Sequence, residues 1–515
     1  MIRLLGAFAI LHLLTALPAT QPVITAWAVP KLDMLLVALV AILAGKGLSG
    51  RVLQWIGTLA IGLVTVLKFA DLAMRETLGR SFNPVADLPL IDALTRLVAS
   101  TFGVWAAIGA VAAAIVTGLS VLGALWWALG VLGQSRRVAA LPVAAVAGLV
   151  LLTTPAALPN WVFARDRTEL AVQTIWQLRE FNLRAKDDPM QQIDRPFSLI
   201  DRDVLVVFLE SYGRSSFDTP FYAQRHLQTL SDAQVRLARA GLSMRSGFLT
   251  SPTHGGQSWL AHTTFMNGLR VTDQTRYQAA IASGRQTLFH HAQRGGFRTA
   301  AVVPAITRAW PEGLTMGFQD ILAEADLGYR GLPFNWVTMP DQFTLTAMDR
   351  MLRDGGDPRR LFAQISLISS HAPWVPVPQM VDWNDVGDGT IFNAMAQAGD
   401  TPKVVWRDRD RVRAQYRDAI DYTLRAVTEY AIRQGRDAPL MILLGDHQAA
   451  TSIALDDRRQ VPIHVIGPHS LVDLTAGWGF TPGLIPPADT APLPMEQMRD
   501  NLLRSFSSTK DVPPA

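Results

Sequence analysis

The sequence contains no cysteine among its 515 residues. That excludes a disulfide framework, a thiolate zinc finger and a thiol nucleophile. It leaves the redox compartment open, because an oxidising one is compatible with the absence. Charge is also scarce: 17% of residues are Asp, Glu, Lys or Arg, and 47 basic against 43 acidic side chains leave a net +4. No basic block runs along the chain, so the composition gives no reason to expect a nucleic-acid partner. There is no internal repeat. The mild basicity suits anionic lipid headgroups.

Apolar residues, by contrast, make up 49% of the chain, and nearly all of the excess lies before about residue 158. Five apolar stretches occur there, at 2–18, 32–46, 52–71, 103–131 and 138–156. The third and fourth have the length of membrane spans, for which about 20 apolar residues are needed. The first and second are short and also read as interfacial or buried helices. The first carries only Arg3 before its apolar run and is followed at once by further spans, which argues against a cleaved signal. The pattern predicts a transmembrane domain of five helices over 1–158. Lys46 and Arg51 mark the turn between spans two and three, and Arg136 and Arg137 the turn between spans four and five. The positive-inside rule makes both turns cytoplasmic. Five crossings then export everything after residue 158, giving a multi-pass protein of a bacterial inner membrane with a periplasmic remainder. The segment 72–102 mixes arginines and acids with apolar residues and suits the outer bilayer surface.

Residues 159–195 are polar and mixed in charge. Leu170, Ile175, Leu178, Phe181 and Leu183 predict an amphipathic helix over Thr168–Arg184, a juxtamembrane connector or plain linker that Asp187-Asp188-Pro189 ends. From 196 to 515, apolar runs alternate with helical patterns. Strands are expected at 203–209, 299–303, 361–367, 440–444 and 462–466, and helices at 222–240, 258–268, 286–295, 341–353 and 411–434. Such alternation predicts one large α/β domain with a mostly parallel central sheet. The tail from Pro482, proline-rich and then polar, is expected to be loosely ordered at its end.

Two of the strands stop on chemistry. Val204–Leu209 is followed by Glu210, and Met441–Leu444 by Gly445-Asp446-His447. In open α/β sheets ligands sit beyond the carboxyl ends of the strands. Glu210, Asp446 and His447 could there hold a divalent cation, whereas a solvent-facing strand-end acid, a helix-capping Asp and a surface His are the plainer readings. Ser258, in Thr253-His254-Gly255-Gly256-Gln257-Ser258, falls near a helix N-terminus, where amides and the helix dipole favour a phosphate or an alkoxide; it also reads as an N-cap. His371, in Ser369-Ser370-His371-Ala372-Pro373-Trp374, follows another apolar run and could bind substrate or protonate a leaving group, or be a turn histidine. Arg308 and Trp310 could clamp a phosphate and a headgroup. His254, His262, His290 and His291 carry no assigned role.

Together these residues resemble the alkaline phosphatase/sulfatase superfamily, and within it the membrane-anchored lipoteichoic acid synthases and phosphoglycerol or phosphoethanolamine transferases. The resemblance covers nearly the whole chain. It implies that Glu210, Ser258, Asp446 and His447 bind the metal, that Ser258 is the nucleophile and that His371, with Arg308 and Trp310 on weaker spacing, contacts substrate. Many of these transferases use Thr where this chain has Ser258, a mild change for an alkoxide. The formylglycine motif of true sulfatases is absent, since Ser258 is followed by Trp259-Leu260-Ala261-His262. The implied activity moves a phospholipid headgroup, phosphoglycerol or phosphoethanolamine, through a phosphoserine to a periplasmic glycan or lipid acceptor, releasing diacylglycerol. The implied cofactor is one divalent cation, manganese or zinc, with magnesium open. A phosphodiesterase or phosphatase that uses water, and a non-catalytic lipid-binding regulator of the same fold, are the alternatives.

Overall fold

The computed structural model describes residues 2–16, 30–78, 80–88, 90–153, 158–354 and 356–508. Two compact units divide the chain, Met1–Arg179 and Glu180–Ala515.

The first unit is helical: α1 (Ile2–Ala16), α2 (Leu32–Ala44), α3 (Leu48–Leu78), α4 (Leu90–Phe102), α5 (Val104–Gly133), α6 (Ala140–Thr153) and the start of α7 (Pro159–Lys186). Each predicted apolar stretch is a helix over nearly all its described residues, and their lengths differ. Among the described residues two helices are long and apolar enough to cross a membrane, Leu48–Glu76 and Val104–Gly133. The segments Ile2–Ala16, Leu32–Ala44 and Arg137–Thr153 are shorter than that; residues 17, 18 and 154–156 of the predicted stretches lie outside the described ones. Ala7, Leu11, Leu35, Ala38, Leu125 and Leu129 form part of this unit's core, whereas Trp105, Ile108, Ile115 and Leu119 on α5 are exposed. An outward apolar surface of that extent calls for a non-aqueous neighbour.

The connector differs from its expected form. Its helix begins nine residues earlier, at Pro159, and its buried positions are Arg167, Thr174, Phe181 and Ala185, while Ile175 and Leu183 are exposed. Spacings of seven, seven and four keep that buried set on one helical face.

The second unit is built on a mixed sheet: β1 (Val204–Leu209), β2 (Ser243–Thr250), β3 (Arg298–Val303), β4 (Asp320–Ala323), β5 (Leu361–Leu367), β6 (Leu440–Gly445), β7 (Gln460–Gly467), β8 (Thr481–Pro482) and β9 (Leu493–Pro494). The order is β4-β3-β5-β1-β6-β7-β2-β8, with β9 on β2. All five expected strands are present, and β4-β3-β5-β1-β6 is a parallel block as anticipated. Beyond β6 the sheet turns antiparallel through β7. Four strands were not expected: β4, β8 and β9 span four residues or fewer, and β2, Ser-Met-Arg-Ser-Gly-Phe-Leu-Thr, has too many polar residues to stand out as a buried run. Leu205, Val207 and Leu209 enter the core on one face of the sheet, and Val204, Val206 and Phe208 the core on the other. This explains why β1 is continuously apolar rather than alternating. The helices α8 (Pro220–Arg239), α9 (Ser258–Asn267) and α10 (Arg409–Gln434) lie close to their expected bounds. The tail is more ordered than expected: helix Met498–Phe506 buries Leu502, Leu503, Phe506 and Arg499, and Arg499 holds Asp188 at 2.6 Å. Residues 509–515 lie outside the described ones.

Candidate active site

Strand register creates the site. β1 pairs in parallel with β6 so that Leu209 stands opposite Gly445, which places Glu210 and Asp446, the next residues, side by side at one sheet edge. β5 pairs on the other side of β1 with Leu367 opposite Leu209, and its continuation carries Ser370 and His371 to the same edge. β2, antiparallel to β7, which is antiparallel to β6, also ends there. Its outgoing loop is stitched to the Asp446 segment by Ser251 Oγ donating to Asp446 O at 2.6 Å and by Gly255 N–H donating to Gln448 O at 2.8 Å. Gly255 (φ 72°), Gly256 (φ 147°) and Gln257 (φ 65°) then turn the chain into α9; two of these three left-handed positions are glycine, as the conformation favours. Gly445 is required for another reason: a Cβ there would strike the carbonyl oxygen of Tyr212.

Four of the residues singled out from sequence converge. The Ser258 hydroxyl donates to Glu210 Oε2 at 2.9 Å and lies 3.2 Å from His447 Nε2. His447 Nε2 is 3.2 Å from Glu210 Oε1 and 3.9 Å from Asp446 Oδ2. One ligand atom from each of Glu210, Asp446 and His447 lies within 4.8 Å of the others. Their residues are 9%, 1% and 2% exposed, so the strand-end acid and surface histidine of the plainer readings are not what forms. Ser258 is the first residue of α9 rather than its cap; the cap position belongs to Gln257, which makes no side-chain cap bond. Asp446 caps no helix either. Its Oδ1 accepts from Ser211 N–H at 2.9 Å and His447 N–H.

The electrostatics follow from crowding two acids in a buried space. Burial raises Asp446, the Glu210 charge raises it further, and it reaches about 7. Burial opposes ionisation of Glu210 as well, but the His447 and His371 imidazoles outweigh it and hold the carboxyl well below the usual range. Burial lowers His447, yet the Asp446 and Glu210 charges more than offset this and raise it to about 9. A proton on His447 thus does part of the neutralising that a divalent cation would do better. The donor set suits such an ion. His447 Nδ1 lies 3.0 Å from Gln448 O, a bond that fixes the tautomer and leaves Nε2 facing the carboxylates, the usual outer support of a metal-ligating imidazole.

The remaining sequence candidates are spread more widely. His371 is exposed, with Nδ1 2.6 Å from Ala372 O, and its charge is felt by Glu210. Arg308 is exposed in the loop after β3. Trp310 is half-buried against the core beside Phe318, ring centroids 5.9 Å apart, so it is at least partly a packing residue. Sequence reasoning missed the support around Glu210. Ser211, at φ 59°, donates its hydroxyl to Glu210 Oε1 at 3.1 Å. Ser370 Oγ donates to Glu210 O at 2.6 Å, and Tyr416 OH to Ser211 O at 2.9 Å. Only the adjacency of Ser211 to Glu210 and of Ser370 to His371 could have signalled the first two. His262, one turn after Ser258, packs at a tilt against Phe208, ring centroids 4.0 Å apart, and burial pushes it down to about 4.

No family model and no curated protein matches the chain. Solved structures do. The integral membrane lipooligosaccharide phosphoethanolamine transferase A from Neisseria meningitidis aligns over 98% of this chain and 94% of its own, with 14% identity and a TM-score of 0.50. A lipoteichoic acid synthase from Listeria monocytogenes aligns over 57% of this chain and 72% of its own, at 14% identity and TM-score 0.37. A phosphoglycerol transferase from Streptococcus pyogenes aligns over 65% and 92%, at 12% identity and TM-score 0.35. The full-length alignment to the Neisseria protein takes in both units. At this identity the likeness is one of fold: over nearly its whole length the chain shares the architecture of the Neisseria transferase.

Proposed function

We propose that the chain is a metal-dependent phosphotransferase that moves a phospholipid headgroup, phosphoglycerol or phosphoethanolamine, to a periplasmic glycan or lipid acceptor. The observation that carries this reading is the placement of the Ser258 hydroxyl, at the first residue of a ten-residue helix, against both Glu210 and His447.

Glu210, Asp446, His447 and Ser258 would hold one divalent cation, manganese or zinc, with magnesium the third choice; it would supply Lewis acidity toward a phosphoryl oxygen and favour the ionised hydroxyl. Ser258 Oγ attacks the phosphorus of the headgroup diester, and Glu210 Oε2, already accepting from that hydroxyl, draws off its proton. The Oγ–P bond forms as the P–O bond to diacylglycerol breaks. His371 Nε2, the nitrogen left free by the Nδ1 contact to Ala372 O, donates a proton to the departing diacylglycerol oxygen. The acceptor hydroxyl then attacks the phosphoserine and gives its proton to His371 as its oxygen bonds to phosphorus; the Oγ–P bond breaks and Glu210 returns the proton to Ser258 Oγ. The N-terminal amides of α9 hold the phosphate through the exchange. Arg308 and Trp310 contribute to the headgroup pocket from the loop after β3.

In this reading the chain is a multi-pass inner-membrane protein, with a membrane domain over 1–158, a connector over 159–195 and a periplasmic catalytic domain over 196–515. The two basic turns face the cytoplasm, and α1, α2 and α6 complete five crossings. Mass spectrometry of Ser258 after incubation with mixed phospholipids tests the proposal. A headgroup-phosphate adduct on Ser258 is expected, and its mass names the group transferred. Diacylglycerol release at the wild-type rate by Ser258→Ala would refute the nucleophile. With labelled phospholipid, recovery of free headgroup phosphate alone would replace the transferase by a hydrolase.

A further inference from the structure

The helical unit contains a cavity of about 540 Å³ among α2, α3 and α5, at the end where the α2–α3 turn meets the end of α5. Its lining includes Lys46, Arg51 and Gln54 together with the apolar Leu36, Val40 and Ile56. No acid lines it, and none occurs in the sequence between Asp33 and Asp71. Among the described residues neither the Lys46 ammonium nor the Arg51 guanidinium forms an ion pair or a hydrogen bond. Two uncompensated cations on one wall of a cavity are an anion-binding arrangement.

The cavity depends on glycine. A Cβ on Gly130 would lie 2.7 Å from Gln54 Nε2, and one on Gly133 would lie 3.3 Å from Gly45 O. A Cβ on Gly50 would collide with Gly45 O. The α2–α3 turn can therefore approach α5 closely while space stays open beside it. Gln54 is held in place, its Nε2 donating to Trp126 O at 2.8 Å. The apolar walls open outward: Leu36 is 42% exposed, Val40 48% and Ile56 57%. These side chains belong to α2 and to α3, the latter long and apolar enough to cross a bilayer. A site with cations at one end and outward apolar walls accepts a molecule with a phosphate and hydrocarbon chains.

We infer that this cavity binds one anionic phospholipid, its phosphodiester at Lys46 and Arg51 and its acyl chains along Leu36, Val40 and Ile56. The net double positive charge without a nearby acid favours an anionic head over a zwitterionic one, whose ammonium would have no partner. The apolar walls favour a lipid over free phosphate. This inference requires the helical unit to lie in a bilayer but is independent of the chemistry at Ser258.

Native mass spectrometry of the purified full-length protein with equal phosphatidylglycerol and phosphatidylcholine tests it. One phosphatidylglycerol is expected to be retained in preference to phosphatidylcholine. Lys46→Ala with Arg51→Ala should weaken that retention about thirtyfold, from the usual contribution of two basic residues to anionic-lipid binding. Arg136→Ala with Arg137→Ala, which removes the same charge from exposed positions outside the cavity, should keep it. Val40→Trp leaves both cations but fills the cavity, and should expel the lipid even if the double alanine variant fails to fold. Equal retention of the two lipids, equal loss in the Arg136/Arg137 variant, retention by Val40→Trp, or thermal protection by inorganic phosphate matching that by phosphatidylglycerol would each overturn the assignment. Because diacylglycerol release is measured separately, these outcomes do not depend on the transferase reading.

Discussion

Buried carboxylates occur in both units, but their partners differ. In the helical unit Asp71 and Asp87 are 4% and 2% exposed. Asp71 meets Arg75 at 2.7 Å and Arg167 at 3.4 Å, and accepts from Phe82 N–H at 2.8 Å. Asp87 is gripped by both terminal nitrogens of Arg80 and accepts from Asn83 N–H at 2.7 Å. In the α/β unit, Glu210 and Asp446 are just as buried, yet they face each other with one imidazole between them and no guanidinium. An acid matched by arginine and backbone amides is a fastening for a loop. Two acids pressed together are an unfinished charge balance, and a cation completes it. Burial alone therefore does not mark a site, and neither does a missing cation: Asp341, fully buried, is satisfied by the Ile368 and Ser369 amides and the Thr423 hydroxyl, whereas Glu210 and Asp446 face each other.

This contrast can be broken at several points. The largest effect is expected from Ser258→Ala, which should lower diacylglycerol release on the order of 10⁴-fold or more while leaving the melting temperature near wild type. Chelation should abolish the same activity, with manganese or zinc restoring it. His371→Ala should slow release by about 10²–10³-fold, with the acidic limb of the pH–rate profile retained and the basic limb altered, as loss of a general acid predicts. In the helical unit the corresponding substitution acts on stability instead. Asp87→Ala should cost about 3 kcal/mol in denaturant unfolding, because it strands Arg80 and the Asn83 amide.

The smallest effect sharpens the comparison most. Asp446 and His447 both have folded pKa values above their ordinary ones, about 7 and about 9. Each therefore stabilises the chelated protein fully at low pH and ceases to as pH rises through its folded value. The chelated protein should melt progressively lower from about pH 4 to pH 9, and added cation should flatten that slope by replacing the protons. Asp446→Asn keeps an oxygen for the Ser211 and His447 amides but carries no charge. Above pH 7 it should melt higher than the chelated wild type and no longer respond to cation.

Much of the α/β unit was legible because strands buried on both faces are continuous apolar runs, and five stood out, four in the parallel block and the antiparallel β7. The run before Glu210 and the run before Asp446 end abruptly on charge, which a buried strand does only at a site or at a solvent edge. What could not be read was β2, whose Ser243, Arg245 and Ser246 disguise it, and with it the antiparallel side of the sheet. The length of α7 was also missed, because its first nine residues fall outside the apolar positions by which the helix was bounded, and Pro159 is tolerated in a first turn. Trp310, singled out as a headgroup clamp, also packs beside Phe318, a contact that no local pattern announces.

The sequence by itself singled out the candidate side chains, five of the strands, and the separation of an apolar, charge-poor part from an α/β part, because those depend on local period and composition. Only the tertiary structure decided that Glu210, Ser258, Asp446 and His447 share one small volume. That outcome rests on the register of β1 against β6, on the return of β2 to the same sheet edge and on the stitching of the Gly255 loop to Gln448. Pairings between residues some 200 positions apart are set by how whole strands and faces pack, and no local pattern records them.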